Sequence, residues 1–179
     1  RGIFTLTVPT GGGKTLASLR FAIHHANYSL GDPHPIERIF YIVPYTSIID
    51  QNARIAREVL ERPDEKGSVV LECHSNLSVE NECWRTKLLS ENWDAPIIFT
   101  TSVQFLETLF GSGTKSVRKM HRLANSIIIF DEIQTLPVRT VHMFCNAVNF
   151  LVEECGSTVV LCTATQPLLN AVDSGRGAL

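Results

Sequence analysis

The 179-residue chain has no apolar run approaching the roughly 20 residues that a membrane-crossing helix requires. It has no signal-peptide pattern at its start, no internal repeat and no low-complexity tract. A membrane-embedded or fibrous protein is excluded on these grounds. No pair among its five cysteines (Cys73, Cys83, Cys145, Cys155 and Cys162) has Cys-x-x-Cys spacing, and their number is odd. They read as reduced packing thiols of a cytoplasmic protein, with no structural zinc. Basic residues are not in excess: 16 Lys and Arg stand against 18 Asp and Glu, a net charge of −2. A global field for nucleic acid is thereby excluded, and any such site must be a local patch.

What the chain does have is alternation. Short β-branched runs occur at Ile3–Val8, Ile39–Val43, Val69–Cys73, Ile97–Thr100, Ile127–Phe130 and Thr158–Cys162. Most are apolar throughout, as in strands buried on both faces of a parallel sheet. Between them Leu16, Leu19, Ile23 and Ala26 recur at helical spacing, as do Ile49, Ala53, Ala56 and Leu60, and Val141, Phe144, Val148 and Leu151. The pattern predicts one α/β domain over residues 1–179, a mostly parallel sheet covered by helices on both faces. The opening at Arg1, just before a strand, reads as a cut from a longer protein. Residues 167–179 read as an exit segment.

Val8-Pro9-Thr10-Gly11-Gly12-Gly13-Lys14-Thr15 joins the first strand to the first helix. Glycines let a backbone wrap phosphates, and the helix N-terminus adds partial positive charge. In this P-loop reading Thr10, Gly11, Gly12, Gly13, Lys14 and Thr15 hold ATP. Lys14 reaches the β- and γ-phosphates, and the Thr15 hydroxyl ligates Mg²⁺. Val8 stands where the general pattern has glycine. The bland alternative is a glycine-rich turn with Lys14 solvated. Ile127–Phe130 then runs directly into Asp131-Glu132-Ile133-Gln134. A buried strand ending in two carboxylates delivers them to the rim where open α/β sheets bind ligands. Asp131 is expected to hold Mg²⁺, Glu132 to activate the attacking water, and Gln134 to couple the site to its surroundings.

Other strand ends carry polar clusters: Pro44-Tyr45-Thr46-Ser47, Thr100-Thr101-Ser102 with Gln104, and Thr163-Ala164-Thr165. The set, in this order, resembles the motifs of superfamily 2 helicases. Pro9–Thr15, His74-Ser75-Asn76, Asp131–Pro137 and Thr163–Pro167 look like the type I CRISPR-associated helicase–nucleases, over Phe4 to about Pro167.

The resemblance implies a first RecA-like motor domain, with strand Thr158–Cys162 between Ile3–Val8 and Ile127–Phe130. It implies ATP-driven movement on single-stranded DNA and recruitment by an RNA-guided surveillance complex. Pro44, Tyr45, Thr46, Ser47, Thr100, Thr101 and Gln104 would touch the DNA, and Thr163, Ala164 and Thr165 would link hydrolysis to movement. A nuclease domain and a second motor domain with arginine fingers would lie elsewhere in the full protein, so the fragment alone should hydrolyse ATP weakly. Another superfamily 2 motor, or a nucleotide-dependent switch without translocation, remain the competing readings.

Weaker features take bland readings. Lys115, Arg118, Lys119 and Arg122 share a helix face that reads as solvated. Trp84 and Trp93 could stack on bases, but Trp93, just before an apolar strand, reads as core. His24, His25 and His74 have no partner at metal-ligand spacing.

Overall fold

Successive side chains of a strand point to opposite faces, so a strand apolar throughout needs cover on both. The computed structural model supplies that cover. It describes residues 1–9, 11–62, 67–73 and 84–163, with backbone alone at 84–87 and 115. The elements run β1 Gly2–Thr7, α1 Lys14–Tyr28, β2 Arg38–Val43, α2 Thr46–Leu60, β3 Val70–Cys73, α3 Trp84–Asn92, β4 Ile97–Thr101, α4 Ser102–Phe110, α5 Thr114–Met120, β5 Ser126–Phe130, α6 Val141–Glu153 and β6 Thr158–Thr163. The strands form one six-stranded sheet, ordered β1-β6-β5-β2-β4-β3, and every pairing is parallel. Strand β6 lies between β1 and β5, as the resemblance implied.

Each central strand divides its residues between two cores. Ile39, Tyr41 and Val43 of β2, Ile127 and Ile129 of β5, and Val160 and Cys162 of β6 join Leu19, Ala22, Ile49 and Ala53 of α1 and α2. The intervening residues, Phe40, Ile42, Ile128, Phe130, Val159 and Leu161, join Phe105 of α4 and Phe144, Val148 and Leu151 of α6. Phe130, the last residue of β5, meets Phe105 and Phe144 edge to face, with centroids 5.0 and 4.8 Å apart. Truncating a phenylalanine so packed costs about 3–5 kcal/mol. The aromatic clasp therefore fixes the end of β5, where the acidic pair begins.

Strand β1 departs from double-sided burial. Among the described residues it is an edge strand paired only with β6, and Phe4, Thr5 and Thr7 are exposed. Phe4 packs on Phe21 and His25 of α1 at 5.5 and 6.0 Å between centroids. The basic stripe is helical at α5, but it is not simply solvated. Lys119 sits over the buried Trp93 ring at 5.1 Å, and Arg122 pairs with Asp94 at 3.2 Å. Trp93 is fully buried, as expected of a core residue.

Candidate functional site

Because all strands are parallel, their C-terminal ends share one rim. The loop after β1 and the ends of β2, β4, β5 and β6 therefore meet there. The register sets Thr7 beside Thr163 and Phe130 beside Leu161. The amide of Val8 donates to the Thr163 carbonyl at 3.3 Å. The glycine loop and the end of β6 are thus tied directly together.

The loop closes on itself through Gly12, whose N–H donates to the Pro9 carbonyl at 2.9 Å. A Cβ at Gly12 would lie 2.8 Å from Val8 Cγ1 and 3.0 Å from the Pro9 oxygen. That closeness explains Val8 in a position where glycine is usual: its side chain fills the turn that Gly12 leaves open. Gly13 adopts φ 75°, a left-handed conformation suited to glycine, and caps α1. No side chain caps the helix and no acid occupies its first turn. Its first N–H groups and partial positive charge are left to face an anion.

Lys14 reaches across to β5. Its Nζ lies 2.8 Å from Asp131 Oδ1 and also pairs with Glu132 Oε1. The Lys14 and Asp131 side chains are only 12% and 7% exposed, so little water screens the pair. Burial by itself would lower the Lys14 pKa, but the hydrogen bonds and charges of Asp131 and Glu132 outweigh it and hold the ammonium above its ordinary value. Burial would likewise raise Glu132, yet hydrogen bonds from Lys14 and Gln134 bring it below the ordinary carboxylate range. Asp131 Oδ1 is buried and, its ion pair aside, accepts no aligned hydrogen bond. An oxygen so placed retains capacity for a cation.

The backbone that presents the acids is built in two steps. Asp131 N–H donates to the Ile42 carbonyl at 2.8 Å, extending the sheet by one residue. Glu132 then takes φ 52°, ψ 48°, a left-handed conformation uncommon outside glycine and a mark of functional turns. Ile133 anchors the turn in the core, and both the N–H and hydroxyl of Thr135 donate to the Glu132 carbonyl at 2.9 and 2.8 Å. From Glu132 a relay leads to β6: the Gln134 amide donates to Glu132 Oε2, and the Thr163 hydroxyl donates to Gln134 Oε1.

A carboxylate and a hydroxyl suit a hard cation such as Mg²⁺, and the uncapped glycine loop suits phosphate. Asp131, Thr15 and the loop therefore fit the groups expected of them. Thr15 is half-buried at the start of α1. Thr10, Ala164 and Thr165 lie outside the described residues, as do His74-Ser75-Asn76 and the exit segment.

Along the same rim, Pro44, Tyr45, Thr46, Thr101, Val103, Gln104 and Glu107 line a cleft of about 410 Å³. Ser47 is exposed beside it. Thr100 is fully buried, and its hydroxyl donates to Gln104 Oε1 at 2.7 Å, so it faces Gln104 and not the cleft. The Thr101 hydroxyl caps α4 by accepting from Gln104 N–H at 3.2 Å. Two residues beside these clusters carry no signal of their own in the sequence. Glu107 lies one helical turn past Gln104 and lines the cleft with it. Tyr41 lies in a strand otherwise apolar enough to pass as pure core.

The rim thus carries an anion-ready loop, a cation-ready carboxylate and a hydrogen-bonded path to a neighbouring strand, which defines a P-loop nucleotide-dependent motor fold. A family model of the DEAD/DEAH box helicases matches residues 3–173, and the chain belongs to that family. It is 33% identical over 187 aligned positions to the CRISPR-associated nuclease/helicase Cas3 of Haloferax volcanii. That match covers 93% of this chain and 19% of the relative, so the chain spans about a fifth of the relative's length.

Proposed function

We propose that this domain is the first motor domain of an ATP-driven translocase on single-stranded DNA, acting within a helicase–nuclease of the type I CRISPR kind. The observation that carries the reading is convergence: Lys14, more than a hundred residues along the chain from the adjacent Asp131 and Glu132, meets them at one sheet rim with Gln134 and Thr163 in line behind them.

Lys14 binds the β- and γ-phosphates and leaves its carboxylate partners as it does so. Thr10, Gly11, Gly12 and Gly13 supply the phosphate cradle with Thr15. The Thr15 hydroxyl and Asp131 would hold Mg²⁺, which would neutralise developing phosphate charge when bound. Glu132, kept ionised by its surroundings, orients the attacking water and takes its proton. Gln134 senses Glu132 and passes its state to Thr163 on β6, beyond which lie Ala164 and Thr165. The cleft of Pro44, Tyr45, Thr46, Thr101 and Gln104, with Ser47 at its margin, contacts the strand. Thr100 acts there by fixing Gln104. Among the described residues lining the cleft there is no Lys or Arg, so hydroxyl and N–H donors make its phosphate contacts.

The relative's name pairs a helicase with a nuclease. By that likeness the complete protein carries a nuclease and a second motor domain and is delivered by an RNA-guided surveillance complex in the cytoplasm. An isolated domain, lacking an arginine finger, hydrolyses ATP slowly, since such a finger is worth about 10³–10⁵ in rate.

The test is ATP hydrolysis by the complete protein with and without single-stranded DNA. DNA is expected to stimulate turnover. Glu132→Gln should retain nucleotide binding and lower turnover about 10²–10⁴-fold, the usual share of a general base. A hydrolysis rate indifferent to DNA sinks the motor reading.

A further inference from the structure

Tyr41 has no role in the scheme above, and its place is unusual for a phenol. It sits in the middle of β2, paired with Phe99 of β4 and Ile129 of β5, and is fully buried. Its ring stacks on Phe99 with centroids 4.9 Å apart and planes 23° from parallel. A phenylalanine would satisfy that packing. The hydroxyl instead lies against Thr15 and Ser18, with the Asp131 carboxylate near enough to be felt, and it makes no aligned hydrogen bond to any of them. A buried hydroxyl left so is costly, and it is kept where it has work in another state of the site.

Its neighbours narrow that work. The Ser18 hydroxyl is already spent as a donor, to the carbonyls of Lys14 at 2.9 Å and Thr15 at 3.0 Å. Ser18 braces the first turn of α1 and can only accept from Tyr41. Thr15 is the other neighbour, and it is the residue whose hydroxyl oxygen must face the cation. A phenol is protonated at neutral pH, so its O–H is there to donate.

We propose that Tyr41 is a positioning residue for the Mg²⁺ site, its buried O–H orienting the Thr15 hydroxyl from beneath the phosphate loop so that a lone pair of Thr15 faces the metal. The proposal rests on the nucleotide reading given above. Thr15 has few side-chain rotamers. A single hydrogen bond is enough to choose among them.

The test is Tyr41→Phe in the complete protein, read by titrating a fluorescent ATP analogue with and without Mg²⁺. Nucleotide affinity without Mg²⁺ should be unchanged. The Mg²⁺ concentration for half-maximal binding should rise about fivefold, the worth of one modest hydrogen bond. The metal-free melting temperature should hold or rise, because the variant removes an unpartnered hydroxyl; a purely structural phenol would lower it. In a Thr15→Ala background, Tyr41→Phe should shift the Mg²⁺ requirement no further. An unchanged Mg²⁺ titration in Tyr41→Phe overturns the proposal, as does an equal shift in the Thr15→Ala background. Should the unaltered protein bind no nucleotide at all, the nucleotide reading falls and takes this proposal with it.

Discussion

Removing Lys14 tests the site before any nucleotide is added. Its ammonium is the counter-charge of two carboxylates, and at 2.8 Å from Asp131 the gross attraction is about 6 kcal/mol at an effective dielectric constant of 20. Desolvation of both partners offsets most of this in the intact pair. Lys14→Ala leaves the offset in place and deletes the attraction. A fully buried pair broken in this way loses about 3–5 kcal/mol. Here Glu132 is 30% exposed and water can reach the vacated space, so about 2 kcal/mol is expected. For a domain of this size that lowers Tm by about 4–8 °C. Thermal unfolding of Lys14→Ala, Asp131→Asn and the double variant without ligand gives the coupling energy directly, expected at about 1–2 kcal/mol. The double variant should be more stable than Lys14→Ala alone, since it no longer buries an unpaired charge. A Lys14→Ala protein that melts at or above the parent temperature, or a coupling near zero, refutes the ion pairing of Lys14 with the two acids.

Two other expectations follow from single contacts. Gly12→Ala forces Val8 and the Pro9 carbonyl aside, from contacts of 2.8 and 3.0 Å, so ATP-analogue affinity should fall at least about tenfold while stability falls by about 1–3 kcal/mol. Glu61 closes α2 onto the start of β3. Burial would raise its pKa, but the N–H groups of Gly67, Val70 and Val69, at 2.9, 2.8 and 3.2 Å, outweigh that and lower it. Its folded pKa lies below its unfolded one, so its stabilisation is complete above the ordinary carboxylate value and is lost as pH falls through the folded value. Urea unfolding should therefore show Glu61→Gln less stable than the parent near pH 7 and the gap closing under acid; a gap independent of pH would contradict the assignment.

The sequence by itself determined the class of fold and singled out the candidate nucleotide-site residues. Strands such as Ile127–Phe130 are apolar without interruption because both of their faces are covered, and Gly-Lys-Thr after a strand has few other uses. The glycine loop and acidic pair were legible because their chemistry depends on residue type at fixed local spacing. Tertiary structure alone decided the rest. The order of strands put β1 at an edge, so Phe4, Thr5 and Thr7 are exposed despite a strand-like pattern. Parallel packing brought Thr163 to Gln134, a pairing between residues 29 positions apart that no local spacing encodes. Thr100 and Thr101, adjacent in sequence, were separated by the alternation of β4 into a buried brace for Gln104 and a helix cap at the cleft. Periodicity records which residues are buried; which of the buried ones touch is set by strand order and register, and these arise only when the whole chain packs.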